Sequence, residues 1–246
     1  MEPIYVKEFE ISPVAVDRFG RLKASSILAY LQDVAGDHSA ILGTDRYALT
    51  DKNLFWAVIR HRVQISRLPK TGEKLRIETW PMPTTRTAYP RSTIAYDESG
   101  NECFRSISLW VLMDMTTRAM VLPGKSGVAV EGQILGGEIE PAGAMAAKER
   151  ANSERRAVRY TDLDWNGHMN NCRYLDWVDD LTGSDFHQNH SVTEFSVCYF
   201  SEAKEDEVLT LNWELGEDGD LCVDAVREEA VSTGGARVFS VRATAK

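Results

Sequence analysis

The chain predicts an α+β fold built as two tandem units, each an antiparallel sheet curled around its own central helix. Three observations predict it. A helical pattern followed by a run of strand-like segments occurs twice, a polar motif in the second half has a degraded echo in the first, and a stretch rich in Gly, Ala and Glu separates the two. A helix and a sheet must each bury one apolar face, which a sheet wrapped on a helix achieves with the fewest parts. Joining two such units edge to edge would also cover strand edges that otherwise invite association.

In the first unit, residues 4–11 read as a short strand. Ile27, Leu28, Leu31, Val34, Ala35, Ile41 and Leu42 then recur at helical spacing, with Ser25 or Ser26 as candidate cap and Gly43 suited to the position after the helix. Strand patterns follow at 55–66, 74–82, 89–96 and 103–113, separated by the turn-forming clusters 70–72 and 97–101. The second unit repeats the plan. A helix is expected over 170–181 with Cys172, Leu175, Val178 and Leu181 on one face and Gly183 behind it. Strands are expected at 192–199, 207–215, 221–228 and 237–244, with Asp218-Gly219 and Thr233-Gly234-Gly235 as turns. The predicted division is 1–122, a connector at 123–155 and 156–246, and the connector's 144–150 segment has the composition of a short helix.

The 246 residues and 43% apolar content suffice for a full core. A formal charge of −9 disfavours a nucleic-acid partner. No apolar run approaches the roughly 18 residues of a membrane span, and the first residues lack a basic segment followed by an apolar one, so the expected location is cytoplasmic. Cys103, Cys172, Cys198 and Cys222 are widely spaced and sit in apolar segments, as reduced core thiols do.

The chemistry concentrates in Asp164-Trp-Asn166-Gly-His168, which brings a carboxylate, an amide and an imidazole together ahead of the second helix. Asp and Asn are favoured in turns and caps on local grounds alone, whereas His is not. Its echo is Asp17-Arg-Phe19-Gly20-Arg21-Leu22: at an offset of 164 − 17 = 147, Gly20 falls on Gly167 and Leu22 on Met169, while Phe19 replaces Asn166 and Arg21 replaces His168. Glu202, near the next strand, has no packing role evident in the sequence, and at an offset of 202 − 68 = 134 its counterpart is Leu68. One copy carries the polar set and the other has lost it. His187 and His190 have metal-like spacing without a third ligand nearby, so no metal is expected.

Asp164-x-Asn166-x-His168-Met-Asn170-Asn171-x-x-Tyr174, preceded by Tyr160-Thr-Asp162-Leu163, resembles the signature of the acyl-acyl-carrier-protein thioesterases, a double-hotdog family. Gly20-Arg-Leu-Lys, Trp110-Val-Leu-Met with Thr117-Arg118, and Tyr199-x-x-Glu202 followed by Asp206 extend the likeness over most of the chain. The resemblance implies that Asp164, Asn166, His168 and Glu202 match the catalytic network, with no cofactor. It implies an acyl carrier protein bearing a phosphopantetheine-linked chain as partner, and a monomer that is an internal pseudo-dimer or pairs further. One departure stands out: plant members often carry a cysteine after the glutamate, and here that place is Ala203.

Thioester hydrolysis needs an activated water or nucleophile, a donor for the developing oxyanion and a group that orients the base. A motif at a helix start would supply backbone N–H donors. Glu202 is therefore expected as general base or nucleophile, His168 as donor to the carbonyl or to Glu202, Asn166 as the positioning amide and Asp164 as orienter, the two acids exchanging roles if Asp164 lies nearer the water. Arg91 and Arg156, with Arg86, Arg155, Arg159 and Arg173, are candidates for a basic tunnel mouth, and Trp56, Val58, Trp80, Ile94 and Trp110 for an apolar pocket in the first unit. Asn170, Asn171 and Tyr174 are candidates for substrate contact or for shaping the helix. The competing activities are an acyl-coenzyme A thioesterase, a dehydratase of hydroxyacyl thioesters and a noncatalytic acyl-binding module.

Overall fold

The computed structural model describes residues 3–146, 148–227 and 237–246. The chain forms two compact units, one comprising Met1–Lys23 and Ala29–Pro141, the other Ala24–Leu28 and Ala142–Lys246. The first contains β1 (Tyr5–Glu10), a 3-10 turn (Pro13–Ala15), most of α1 (Ala24–Ile41), α2 (Arg46–Thr50), β2 (Leu54–Ile65), β3 (Lys74–Pro81), β4 (Tyr89–Tyr96), β5 (Glu102–Asp114), β6 (Met120–Val121) and α3 (Pro123–Ser126). Its strands lie in the order β1-β3-β4-β5-β2, all antiparallel, with β6 beside β5.

The second unit contains β7 (Asn152–Ala157), a 3-10 turn (Tyr160–Asp162), α4 (Arg173–Asn189), β8 (Val192–Tyr199), β9 (Val208–Leu215), β10 (Asp220–Arg227) and β11 (Arg237–Ala245). Its order is β7-β9-β10-β11-β8, again antiparallel. Strand for strand this is the topology of the first unit. The duplicated α+β plan expected from the sequence is present, and β4 and β8 occupy the expected residues.

In α1 the buried positions Ile27, Leu28, Leu31, Val34 and Ala35 fall at helical spacing, as expected, but Ile41 is exposed. The helix starts earlier than the serines suggest: Lys23 is the N-cap, without a side-chain cap, so Ser25 and Ser26 lie inside the first turn. Within the first unit, Tyr30 packs on Phe9 of β1 with ring centroids 4.6 Å apart, and His38 stacks on Tyr5. Leu49, Leu54, Tyr89, Leu112 and Val128 form a buried cluster against which Trp56 and Trp110 pack. The short α2 was not anticipated. Its one local signal is Asp45, whose carboxylate caps the helix by accepting the Ala48 N–H at 2.9 Å.

Helix α4 buries Tyr174, Leu175, Trp177, Val178 and Leu181. Gly183, at φ 71° and ψ −179°, breaks it where a stop was expected, yet helical turns resume and run to Asn189. An apolar cleft runs beneath this kinked helix, where Leu175, Val178 and Phe186 face Phe195, Leu221 and Val241 of the sheet.

The expected connector, 123–155, is not a separate element. Its first part belongs to the first unit: Val128 is buried, the Tyr89 hydroxyl and Ser126 Oγ lie 2.8 Å apart, and Gln133 donates its N–H to the Pro81 carbonyl. Gly132 lies so close to Met82 that a Cβ would sit 2.1 Å from its backbone, so no other residue fits there unmoved. The remainder is a strap on the second unit. The 144–150 helix does not form among the described residues. Instead Arg237 and Arg242 donate to the carbonyls of Met145 and Ala146, Arg150 pairs at 3.0 Å with the buried Asp224, and β7 begins at Asn152. Burial raises the Asp224 carboxyl, but hydrogen bonds from Ser240 and Arg150 and the charge of Arg242 outweigh it and hold the pKa low.

All four cysteines are free thiols, Cys103 and Cys198 buried and the others half-buried. Among the described residues no helix is long and apolar enough to cross a membrane. The Thr233-Gly234-Gly235 turn and Glu228 lie outside the described residues.

Candidate active site

The motif forms a tight hairpin turn rather than the first turn of a helix. Leu163 bridges Met169, the Asp164 N–H donates to the His168 carbonyl at 2.8 Å, and the Gly167 N–H donates to the Asp164 carbonyl at 3.0 Å. Gly167 sits at φ 78°, which a side chain would disfavour. The Asp164 carboxylate is spent locally: it accepts the Asn166 N–H at 2.8 Å, the His168 N–H at 3.5 Å and the Asn166 side-chain amide at 3.3 Å. Asp164 thus shapes the turn and orients the exposed Asn166.

Backbone pairing then brings in the glutamate. His168 bridges Lys204, and the Met169 N–H donates to the Ala203 carbonyl at 2.8 Å. This fixes the segment that carries Glu202, whose Oε2 lies 3.4 Å from His168 Nε2. The imidazole is about one-fifth exposed, at 20%, and the carboxylate nearly half, at 44%, so the pair opens to solvent and can meet both water and substrate.

The helix-terminus donors expected at the motif are already committed. Helix α4 begins only at Arg173; the Asn170 N–H donates to the Asp162 carbonyl, and the Cys172 N–H to Asn170 Oδ1. Burial pushes the Cys172 thiol up to about 12. It is a poor nucleophile despite its place at the helix start, and Ala203 at the position after Glu202 has no thiol at all.

The remaining expected residues divide. Asn170 caps the chain as it enters α4, and the Asn171 carbonyl accepts the Tyr199 hydroxyl at 2.8 Å. Tyr174 is buried, packs on Phe239 at 4.6 Å and is hydrogen-bonded with the Ala203 backbone, and burial raises its pKa. These three shape the helix start and hold the Glu202 segment. Arg156 is occupied by Glu154 and Asp180. Arg86 and Arg155 are exposed, as are Arg159 and Arg173, which pair with Asp206 at 3.6 Å and with Asp176 at 2.9 Å.

Arg91 departs from expectation. It is 9% exposed inside the first unit, with Nη1 3.1 Å from His38 Nδ1 and 3.3 Å from Thr79 Oγ1, and burial lowers its pKa to about 10. It does not stand at a surface mouth. Trp56 donates Nε1–H to the Thr44 carbonyl at 2.8 Å and meets the Tyr89 ring edge-on, a core arrangement.

Sequence reasoning missed Arg227, at the end of β10. Its guanidinium donates from Nε to Glu207 at 2.9 Å, from Nη1 to Ser201 Oγ at 2.8 Å and from Nη2 to the Glu202 carbonyl. The only available signal was that Glu207 repeats Glu73 at the offset that relates Glu202 to Leu68, 207 − 73 = 134.

Residues 2–122 match the family model described as Acyl-ACP thioesterase N-terminal domain, and residues 145–238 match Acyl-ACP thioesterase C-terminal domain. A palmitoyl-acyl carrier protein thioesterase, chloroplastic, of Gossypium hirsutum is 24% identical over 84% of this chain and 54% of its own length. A dodecanoyl-[acyl-carrier-protein] hydrolase, chloroplastic, of Cinnamomum camphora is 25% identical over 96% of this chain and 65% of its own. The chain therefore spans about half to two-thirds of these curated relatives. The fold is that of a solved acyl-ACP thioesterase from Bacteroides thetaiotaomicron, with TM-score 0.87, 22% identity and coverage of 99% of this chain and 98% of that one.

Proposed function

Since the chain belongs to the acyl-ACP thioesterase family, we propose that it hydrolyses fatty acyl thioesters of acyl carrier protein at the Asp164, Asn166, His168 and Glu202 cluster. The observation that carries the reading is the 3.4 Å approach of Glu202 to His168, held by backbone pairing on both sides. Glu202 takes a proton from water as the water oxygen attacks the thioester carbonyl carbon. His168 and the Asn166 amide supply hydrogen bonds to the oxygen on which charge develops. The tetrahedral intermediate then expels the pantetheine sulfur, which takes up the proton, leaving free acid and thiol. Asp164 acts through the turn it holds.

The exposed arginines of the second unit, 155, 159 and 173, meet the carrier. Four free thiols fit a reducing compartment such as the cytoplasm. Thiol release from matched acyl groups on carrier protein and on coenzyme A tests the substrate assignment, and faster turnover on coenzyme A overturns it. Glu202→Gln and His168→Ala are each expected to lower kcat by about 100-fold or more without loss of folding. Wild-type rates in both would end the site assignment.

A further inference from the structure

We infer that Arg227 is a positioning residue that aims Glu202 at His168; the inference rests on reading Glu202 as the working carboxylate. Glu202 lies on the loop between β8 and β9, and its side chain is among the more exposed of the site. An exposed glutamate has several accessible rotamers, so the direction of its backbone decides where the carboxylate spends its time. Downstream, Ala203 is held by the Met169 N–H and by Tyr174. Upstream, the hold comes from Arg227, whose three donors reach Glu207 on the far stem of the loop, Ser201 Oγ on the near stem and the carbonyl of Glu202 itself. A planar guanidinium fixes three acceptors in one geometry, which an ammonium does not. Arg237, lying 3.8 Å over the Phe200 ring and accepting the Ser201 hydroxyl through its carbonyl, braces the same stem.

The first unit supplies the contrast. There the loop is tied by Arg67, which pairs with Glu73 at 2.7 Å and Asp97 at 3.3 Å. Glu73 corresponds to Glu207, and Arg67 to Ser201, since 201 − 67 = 134. The cation has moved from the loop to the strand end. Only from the strand end does the guanidinium reach the carbonyl of the residue that, in the second unit, is Glu202. A tie serving the loop alone is satisfied by the first arrangement; the second adds a contact to the residue that carries the chemistry.

Steady-state kinetics and thermal unfolding of the full chain test this. Arg227→Met is expected to lower kcat by about 30-fold to 100-fold with KM within about threefold of wild type, a displaced catalytic group being costly even where binding persists. Arg227→Lys recovers part of the loss. In a Glu202→Gln background Arg227→Met costs nothing further, because the group it positions is already gone. Arg67→Met, which cuts the equivalent tie of the first unit, lowers the melting temperature without lowering kcat.

An Arg227→Met enzyme with kcat within threefold of wild type, beside an inactive Glu202→Gln, overturns the positioning role and leaves Glu202 in place. A Glu202→Gln enzyme that keeps its activity overturns the reading of Glu202 and the inference with it. Full additivity of the two losses also overturns the inference. Should Arg227→Met fail to fold, Arg227→Lys decides, since it keeps the ion pair to Glu207: an unchanged kcat there overturns the proposal and a lowered one supports it.

Discussion

The hairpin turns at residues 16–22 and 163–169 share one backbone scheme and differ only in what their side chains do. In each, an aspartate N–H donates to the carbonyl four residues on, a glycine N–H returns to the aspartate carbonyl, and the carboxylate accepts the N–H groups two and four residues ahead. In each, the following residues pair with a second loop, Arg21 with Lys70 and His168 with Lys204, whose offset 204 − 70 = 134 also relates Leu68 to Glu202. The aspartate common to both copies is therefore a turn-former. The proposed chemistry rests on what only one copy has: Asn166, His168 and Glu202, where the other has Phe19, Arg21 and Leu68.

The silent copy also shows where its side chains go. Arg21 turns back on Asp17 at 3.0 Å and lies over the Phe19 ring, closing the turn on itself. His168 instead reaches forward across the loop to Glu202. Writing the silent residues into the working copy, as Asn166→Phe with His168→Arg and Glu202→Leu, is thus expected to keep the turn, because Asp164 and Gly167 stay, and to destroy the site. Hydrolysis should fall by about 1000-fold or more, while the melting temperature shifts by only a few degrees. A triple variant that still releases thiol would mean that the two turns do not differ in the way their side chains suggest.

Much of this contrast was legible in the sequence, for a physical reason. Turns and strands are specified locally: strand patterns bounded by turn residues placed β4 and β8, and the shared Asp-x-x-Gly spacing matched the two motif copies to each other. What stayed hidden depends on contacts distant in the chain. Arg91 reads as a surface arginine until His38, 53 residues earlier, is found against it. The segment at 144–150 reads as helix until Arg237 and Arg242, more than 90 residues later, take its carbonyls. The motif was placed at the start of a helix, but Asn170 and Asp162 consume the donors that placement promised.

The corresponding strands differ in acid response as well. At the 134-residue offset, His61 of β2 corresponds to Phe195 of β8, and both are buried. Burial lowers the His61 pKa to about 3. The native state holds the ring neutral, whereas the unfolded chain protonates it below about 6.5. The unfolded state then binds more protons between those two values, so the stability that His61 permits is complete above about pH 6.5 and falls as the pH drops through that window. Its share of the loss between pH 7 and pH 5 is about 2 kcal/mol. His61→Phe, which copies the second unit, should remove that share when urea unfolding is compared at the two pH values. An unchanged pH dependence would show that the ring is not held neutral.

The finest test separates turn-making from catalysis in the aspartates themselves. Asp17→Ala and Asp164→Ala each strip the carboxylate from two backbone N–H groups and from one side chain, Arg21 in the first turn and Asn166 in the second. Both losses are expected to cost about 1 kcal/mol of unfolding free energy, since both turns are partly open to water, which replaces much of what is removed. Only the second should reach the chemistry. Without Asp164 the Asn166 amide loses its anchor, and kcat should drop by about tenfold while the Glu202 and His168 pairing through residues 203 and 204 persists. Equal stability losses with unequal effects on kcat would establish the carboxylate as scaffold in both copies. A loss of kcat in Asp17→Ala as large as in Asp164→Ala would mean instead that the two turns act on the reaction together.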